Sequence, residues 1–182
     1  MDLAELKEAG ILALSDSLLA AMGFIDVLRE RGTSKVACLR LDLLVEGMAT
    51  REQVDACLTH LRLEARWQQG VFAHCLGLIR TPPIQEEGQY RIQCVLLFDG
   101  EQVRRDIQCG DEVGRYWANI ITEGQGRYVN YNRYRQMDLS SGCGVISLTT
   151  MRWKCHSLLL SMGSAAHPLI IAGVPCRKQD GD

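Results

Sequence analysis

The chain has 182 residues, a formal net charge of −2 and a pI of about 6.1, so it lacks the basic body of a bulk-charge nucleic-acid binder and could hold DNA only through a local patch. Apolar residues make up 47%, enough for a packed core, which argues against disorder. No apolar run is long enough for a bilayer, and Met1-Asp-Leu-Ala-Glu-Leu-Lys-Glu8 lacks the plan of a secretory signal, so a cytoplasmic protein without a membrane partner is expected.

In chain order, residues 2–31 carry a helical stripe of Leu14, Leu18, Met22, Ile25 and Leu28, divisible at Gly10 or at Ser15-Asp16-Ser17. Lys35–Glu46 reads as a strand with Leu39, Leu41, Leu43 and Val45 on one face and Cys38, Arg40, Asp42 and Leu44 on the other. Thr50-Arg-Glu-Gln53 has capping-box spacing and opens a helix to about Trp67. Val71–Ile79 reads as a strand that is apolar except for His74. A further strand over 88–100 points Tyr90, Ile92, Cys94, Leu96 and Phe98 into a core, with Arg91 and Gln93 on its reverse, and ends in an Asp99-Gly100 turn. A helix is expected over Asp111–Ile121 with Val113, Trp117, Ile120 and Ile121 inward. A strand over Gly142–Leu148, a helix from Thr149 or Thr150 to about Met162 and a short strand over Leu169–Val174 close the order.

This succession predicts an α+β fold: an antiparallel sheet with helices packed mainly on one face, and the strands at Lys35–Glu46 and 88–100 near its centre. The expected divisions are an N-terminal helical segment over 1–32, the α+β domain over 33–176 and a polar tail over 177–182. The eight cysteines stand singly, with no CxxC pair, which is the pattern of reduced core thiols rather than a zinc ribbon. His60, His156 and His167 show no ligand spacing, and His74 and Cys75 point to opposite strand faces, so no metal site is assigned.

Two groups of residues could bind a ligand. Arg40, Arg91 and Gln93 share a polar sheet face, and are either phosphate and base contacts or ordinary solvated side chains. The segment 126–137 contributes Arg127, Tyr128, Asn130, Tyr131, Asn132, Arg133, Tyr134 and Arg135. It is either a single-strand platform, where each stacked base is worth about 1–3 kcal/mol, or a Tyr-rich loop packed on its own domain. Asp42, on the face of Arg40, reads as a structural ion-pair partner.

Leu39-Arg-Leu-Asp-Leu43, Tyr90 through Gly100, Val113-Gly-Arg-Tyr-Trp117, Ile121 through Gly126, Arg127 through Asn132 and Gly142 through Ile146 occur in an order that resembles the replication-initiator-like proteins of filamentous phages (inoviruses) and integrated mobile elements, the YagK/YfjJ type. The resemblance spans roughly residues 35–162. It implies a replication-initiator architecture, similar to an RNA-recognition or palm domain, acting on single-stranded DNA in rolling-circle replication. It also implies a metal-binding His-hydrophobic-His pair and a Tyr-x-x-Lys nucleophile, but the matching positions hold Arg91, Gln93, Leu159 and Met162. Arginine is a permanent cation and cannot ligate a metal.

Three functions follow as alternatives. The first is a catalytically degenerate initiator-like protein that binds single-stranded DNA and regulates or assists its element, with no catalytic residues and no cofactor. The second is a phage-encoded inhibitor or adaptor that binds a host protein, such as a defence factor. The third is an active nicking endonuclease that requires a divalent metal.

Overall fold

A computed structural model describes residues 16–47, 50–137, 143–162 and 168–173, with backbone alone for 135–137. In order they form α1 (Asp16–Glu30), β1 (Lys35–Glu46), α2 (Arg51–Trp67), a 3-10 turn (Gly70–Phe72), β2 (Cys75–Arg80), β3 (Ile84–Glu86), β4 (Gln89–Asp99), α3 (Asp106–Tyr116), a π-helical turn (Trp117–Ile121), β5 (Gly126–Asn130), a 3-10 stretch (Tyr131–Met137), β6 (Gly144–Ser147), α4 (Arg152–Met162) and β7 (Ile170–Gly173). The expected first turns of the N-terminal helix, Arg135's side chain, Cys176 and the 177–182 tail lie outside the described residues.

The fold is α+β, built on a 7-stranded sheet in the order β5-β1-β4-β2-β7, with β3 added to β4 and β6 to β1. Every pairing is antiparallel. The long strands β1 and β4 lie at the centre, in the expected positions. Their alternating residues explain why: Leu39, Leu41, Leu43 and Val45 of β1 meet Ile92, Cys94, Leu96 and Phe98 of β4 on one face. Helix α2 covers that face with Val54, Cys57, Leu58, Leu61 and Ala65, and α3 with its π turn adds Val113, Trp117 and Ile121. Thr50 caps α2, accepting from the Gln53 amide at 3.3 Å.

Helices were expected mainly on one face; a second pair covers half of the other. Helices α1 and α4 pack Leu18, Met22, Ile25, Cys155, Leu158 and Leu159 against Val36, Cys38, Val95 and Leu97. The antiparallel register causes this division. Cys38 lies opposite Leu97, Asp42 opposite Gln93 and Leu44 opposite Arg91, so the apolar beginning of β1 meets the apolar end of β4. The polar halves also coincide, and α1 and α4 leave them uncovered.

Three local features differ from expectation, and one forms as expected. The strand expected from Val71 begins only at Cys75, because residues 70–72 form a 3-10 turn and His74 is exposed with a left-handed φ of 66°. The third helix begins at Asp106, not Asp111, and Ile120 faces outward, 53% exposed, because its final turn is π-helical. The 126–137 segment, read as either a single-strand platform or a Tyr-rich loop and given no element, is a strand followed by a 3-10 stretch. The expected turn forms at Asp99-Gly100, where a Cβ on Gly100 would lie 2.9 Å from the Lys35 backbone carbonyl carbon; close approach, not a left-handed φ, requires the glycine.

Candidate functional site

The uncovered half-face gathers Arg40 and Asp42 from β1, Arg91 and Gln93 from β4 and Glu86 from β3. Arg91 is held on two sides. Its Nε and Nη2 donate to Glu86 Oε1 at 2.9 and 2.6 Å, and its Nη1 lies 3.5 Å from Asp42 Oδ2. Partial burial opposes its charge, but Glu86 and Asp42 outweigh this and raise its pKa. Asp42 is 3% exposed; its Oδ2 also accepts from the Tyr131 hydroxyl at 3.0 Å, while its Oδ1 has no hydrogen-bond partner among the described residues. Thus Asp42 is an ion-pair residue as expected, but its partner is Arg91 across the sheet. Arg40 lies over the Tyr131 ring at 4.7 Å, a cation–π contact. Two guanidinium groups balance two carboxylates here, so the face is electrically neutral. Gln93 donates its backbone N–H to Thr81 Oγ1 at 3.1 Å and is partly exposed.

The 126–137 segment divides between inward and outward residues. Asn130 and Asn132 are buried. Asn130 Nδ2 donates to Ile107 O and Asp111 Oδ1, and its Oδ1 accepts from the Asn132 amide. Asn132 Nδ2 donates to Cys38 O at 2.8 Å and Asp106 Oδ2 at 2.7 Å, while its Oδ1 accepts from Arg40 N at 2.9 Å. These amides are committed within the fold. Tyr128 packs on Gly114, and Tyr131 turns toward Asp42. Burial, then the Asp42 charge, raises the Tyr131 pKa, so its phenol stays protonated at neutral pH. Arg127 pairs with Glu46 and Arg133 with Asp111. Tyr134 is 54% exposed. Among its described side chains, the segment therefore offers solvent one exposed aromatic, Tyr134, and two paired cations.

Leu159 and Met162, where the resemblance implies a nucleophilic pair, lie buried in the second core. Among the described residues, no group of three His, Cys, Asp or Glu side chains could hold a metal ion. Five of the cysteines, Cys38, Cys57, Cys75, Cys94 and Cys155, are buried and free. Burial pushes the Cys75 and Cys94 thiols up to about 12.

No family model, curated protein or solved structure matches the chain.

Sequence reasoning passed over Arg104, Arg105 and Arg115, which line a groove of about 450 Å³ at the start of α3. The signal was an Arg-Arg pair directly before Asp106.

Proposed function

We propose that this chain is a non-catalytic, replication-initiator-like protein that binds single-stranded nucleic acid. The observation that carries the reading is Arg91. On the strand where the resemblance implies a metal-binding pair, a guanidinium is fixed between Asp42 and Glu86. The position already contains its cation, and both neighbouring carboxylates are engaged with it. A hydrolytic metal would have to displace a permanently charged side chain. The inward Leu159 and Met162 support the same conclusion from α4.

Binding then depends on the outward residues. Fluorescence anisotropy with a short labelled oligothymidine across a salt series tests it. Modest affinity with clear salt dependence is expected. Tyr134→Ala weakens binding at every salt concentration by about 1–3 kcal/mol if it stacks a base. A covalent protein–DNA adduct formed with Mn²⁺ would overturn the non-catalytic assignment.

A second reading, an adaptor for a host protein, is favoured by Trp153, 57% exposed at the start of α4, with Met151 44% exposed two residues before it. It takes precedence if the wild type binds no oligonucleotide at the lowest salt and Trp153→Ala disrupts a protein complex without altering the fold.

A further inference from the structure

We propose that the groove at the start of α3 is a track for a chain of phosphate groups, with Arg104, Arg105 and Arg115 as its contacts. The inference rests on the single-strand reading above, with a nucleic-acid backbone as the source of the phosphates, and moves the main electrostatic contact off the sheet face.

The contrast between the two surfaces points there. On the sheet face, Arg91 is neutralised by carboxylates, and Arg127 and Arg133 at its margin are paired as well. Arg104, Arg105 and Arg115 are exposed, and none forms an ion pair or side-chain hydrogen bond among the described residues. The groove's two acids are engaged elsewhere: Asp106 accepts from Asn132, and Asp111 holds Asn130 and Arg133. Cationic donors are thus in excess.

Arginine suits the assignment because its planar fork matches phosphate oxygens bidentately. Spacing selects a chain over a single anion. Arg105 and Arg115 are ten positions apart along the helix, about 15 Å along its axis. A single phosphate could meet both only if both side chains reached inward along the axis, whereas successive phosphates of a strand give each guanidinium fork a partner of its own.

The test compares wild type, Arg104→Gln/Arg105→Gln/Arg115→Gln, and the charge-matched control Arg29→Gln/Arg62→Gln/Arg66→Gln in oligothymidine anisotropy across a salt series. Calorimetry with tripolyphosphate provides a second probe. The groove variant should bind at least about tenfold more weakly at low salt, with a log–log salt slope shallower by about 2, since each single-strand phosphate contact contributes about 0.7. The control should match wild type. A groove variant that binds as wild type does overturns the proposal. Arginine-dependent binding of tripolyphosphate without oligothymidine binding supports the groove as a polyphosphate site and overturns the single-strand reading. Binding of neither probe overturns both.

Discussion

Asn132 does with one side chain what a strand residue does with its backbone. Along the outer edge of β1, β6 pairs with Lys35–Cys38 and β5 with Leu41–Val45, leaving a gap at Leu39 and Arg40. The Asn132 amide spans it, accepting from Arg40 N and donating to Cys38 O. Asn132→Ala should therefore strand a buried donor and a buried acceptor together. A loss of about 2–3 kcal/mol is expected, read as a lower urea midpoint at unchanged slope; a change within a few tenths would show that the gap closes without the amide. Sequence alone could not locate this role. Tyr, Arg and Asn suit a stacking platform, but Asn also suits edge capping, and the partners of Asn132 lie 92 and 94 positions away. The same limit hid one of Arg91's two partners, Asp42, which is 49 residues distant.

At the scale of elements, the strands were legible where period-two alternation was sustained, as in β1 and β4. They were not where a left-handed residue interrupted it, as at His74, or where the strand was only 3 residues long, as in β3. The two glycines inside α3 have a packing role. Gly110 and Gly114 are four apart and share one helix face, and β5 lies directly against them. A Cβ on Gly110 would lie 2.8 Å from Asn130 Nδ2, and one on Gly114 only 2.2 Å from the Tyr128 ring. Each glycine costs the isolated helix up to about 1 kcal/mol, and both lie within α3. Tertiary approach outweighs that cost. Gly114→Ala should destabilise the fold by about 1–3 kcal/mol through overpacking. Combined with Tyr128→Ala, the penalty should fall well below the sum of the two single changes, because the second substitution makes room for the methyl group. Additive losses in that double-mutant cycle would place the strain elsewhere.

For the whole molecule, the two-sided core was written in the sequence more openly than a one-sided reading allowed. The reverse faces of β1 and β4 each carry an apolar half and a polar half in opposite order, so an antiparallel pairing must create both an apolar patch needing cover and a polar patch needing none. Helices α1 and α4 supply the cover, and their mutual contact contains a titrating group. His156 Nε2 on α4 lies 3.5 Å from Asp26 Oδ1 on α1, too poorly placed for a hydrogen bond, while Arg152 Nη1 approaches the same oxygen at 2.9 Å. Burial lowers the His156 pKa; attraction by Asp26 opposes this and repulsion by Arg152 adds to it. The native state therefore favours the neutral imidazole, while the unfolded chain protonates near the ordinary value of about 6.5. Between the two pKa values the unfolded state binds more protons, so stability is fully present above about 6.5 and is lost as pH falls through the lower, native value. His156→Gln removes this proton but leaves every other carboxylate and imidazole in place. The wild-type minus variant difference in unfolding free energy, from urea titrations at about pH 7.5 and about pH 5.5, should thus shrink on acidification. A difference that stays constant or grows would mean that His156 is charged in the native α1–α4 contact and that Asp26, not burial, sets its state.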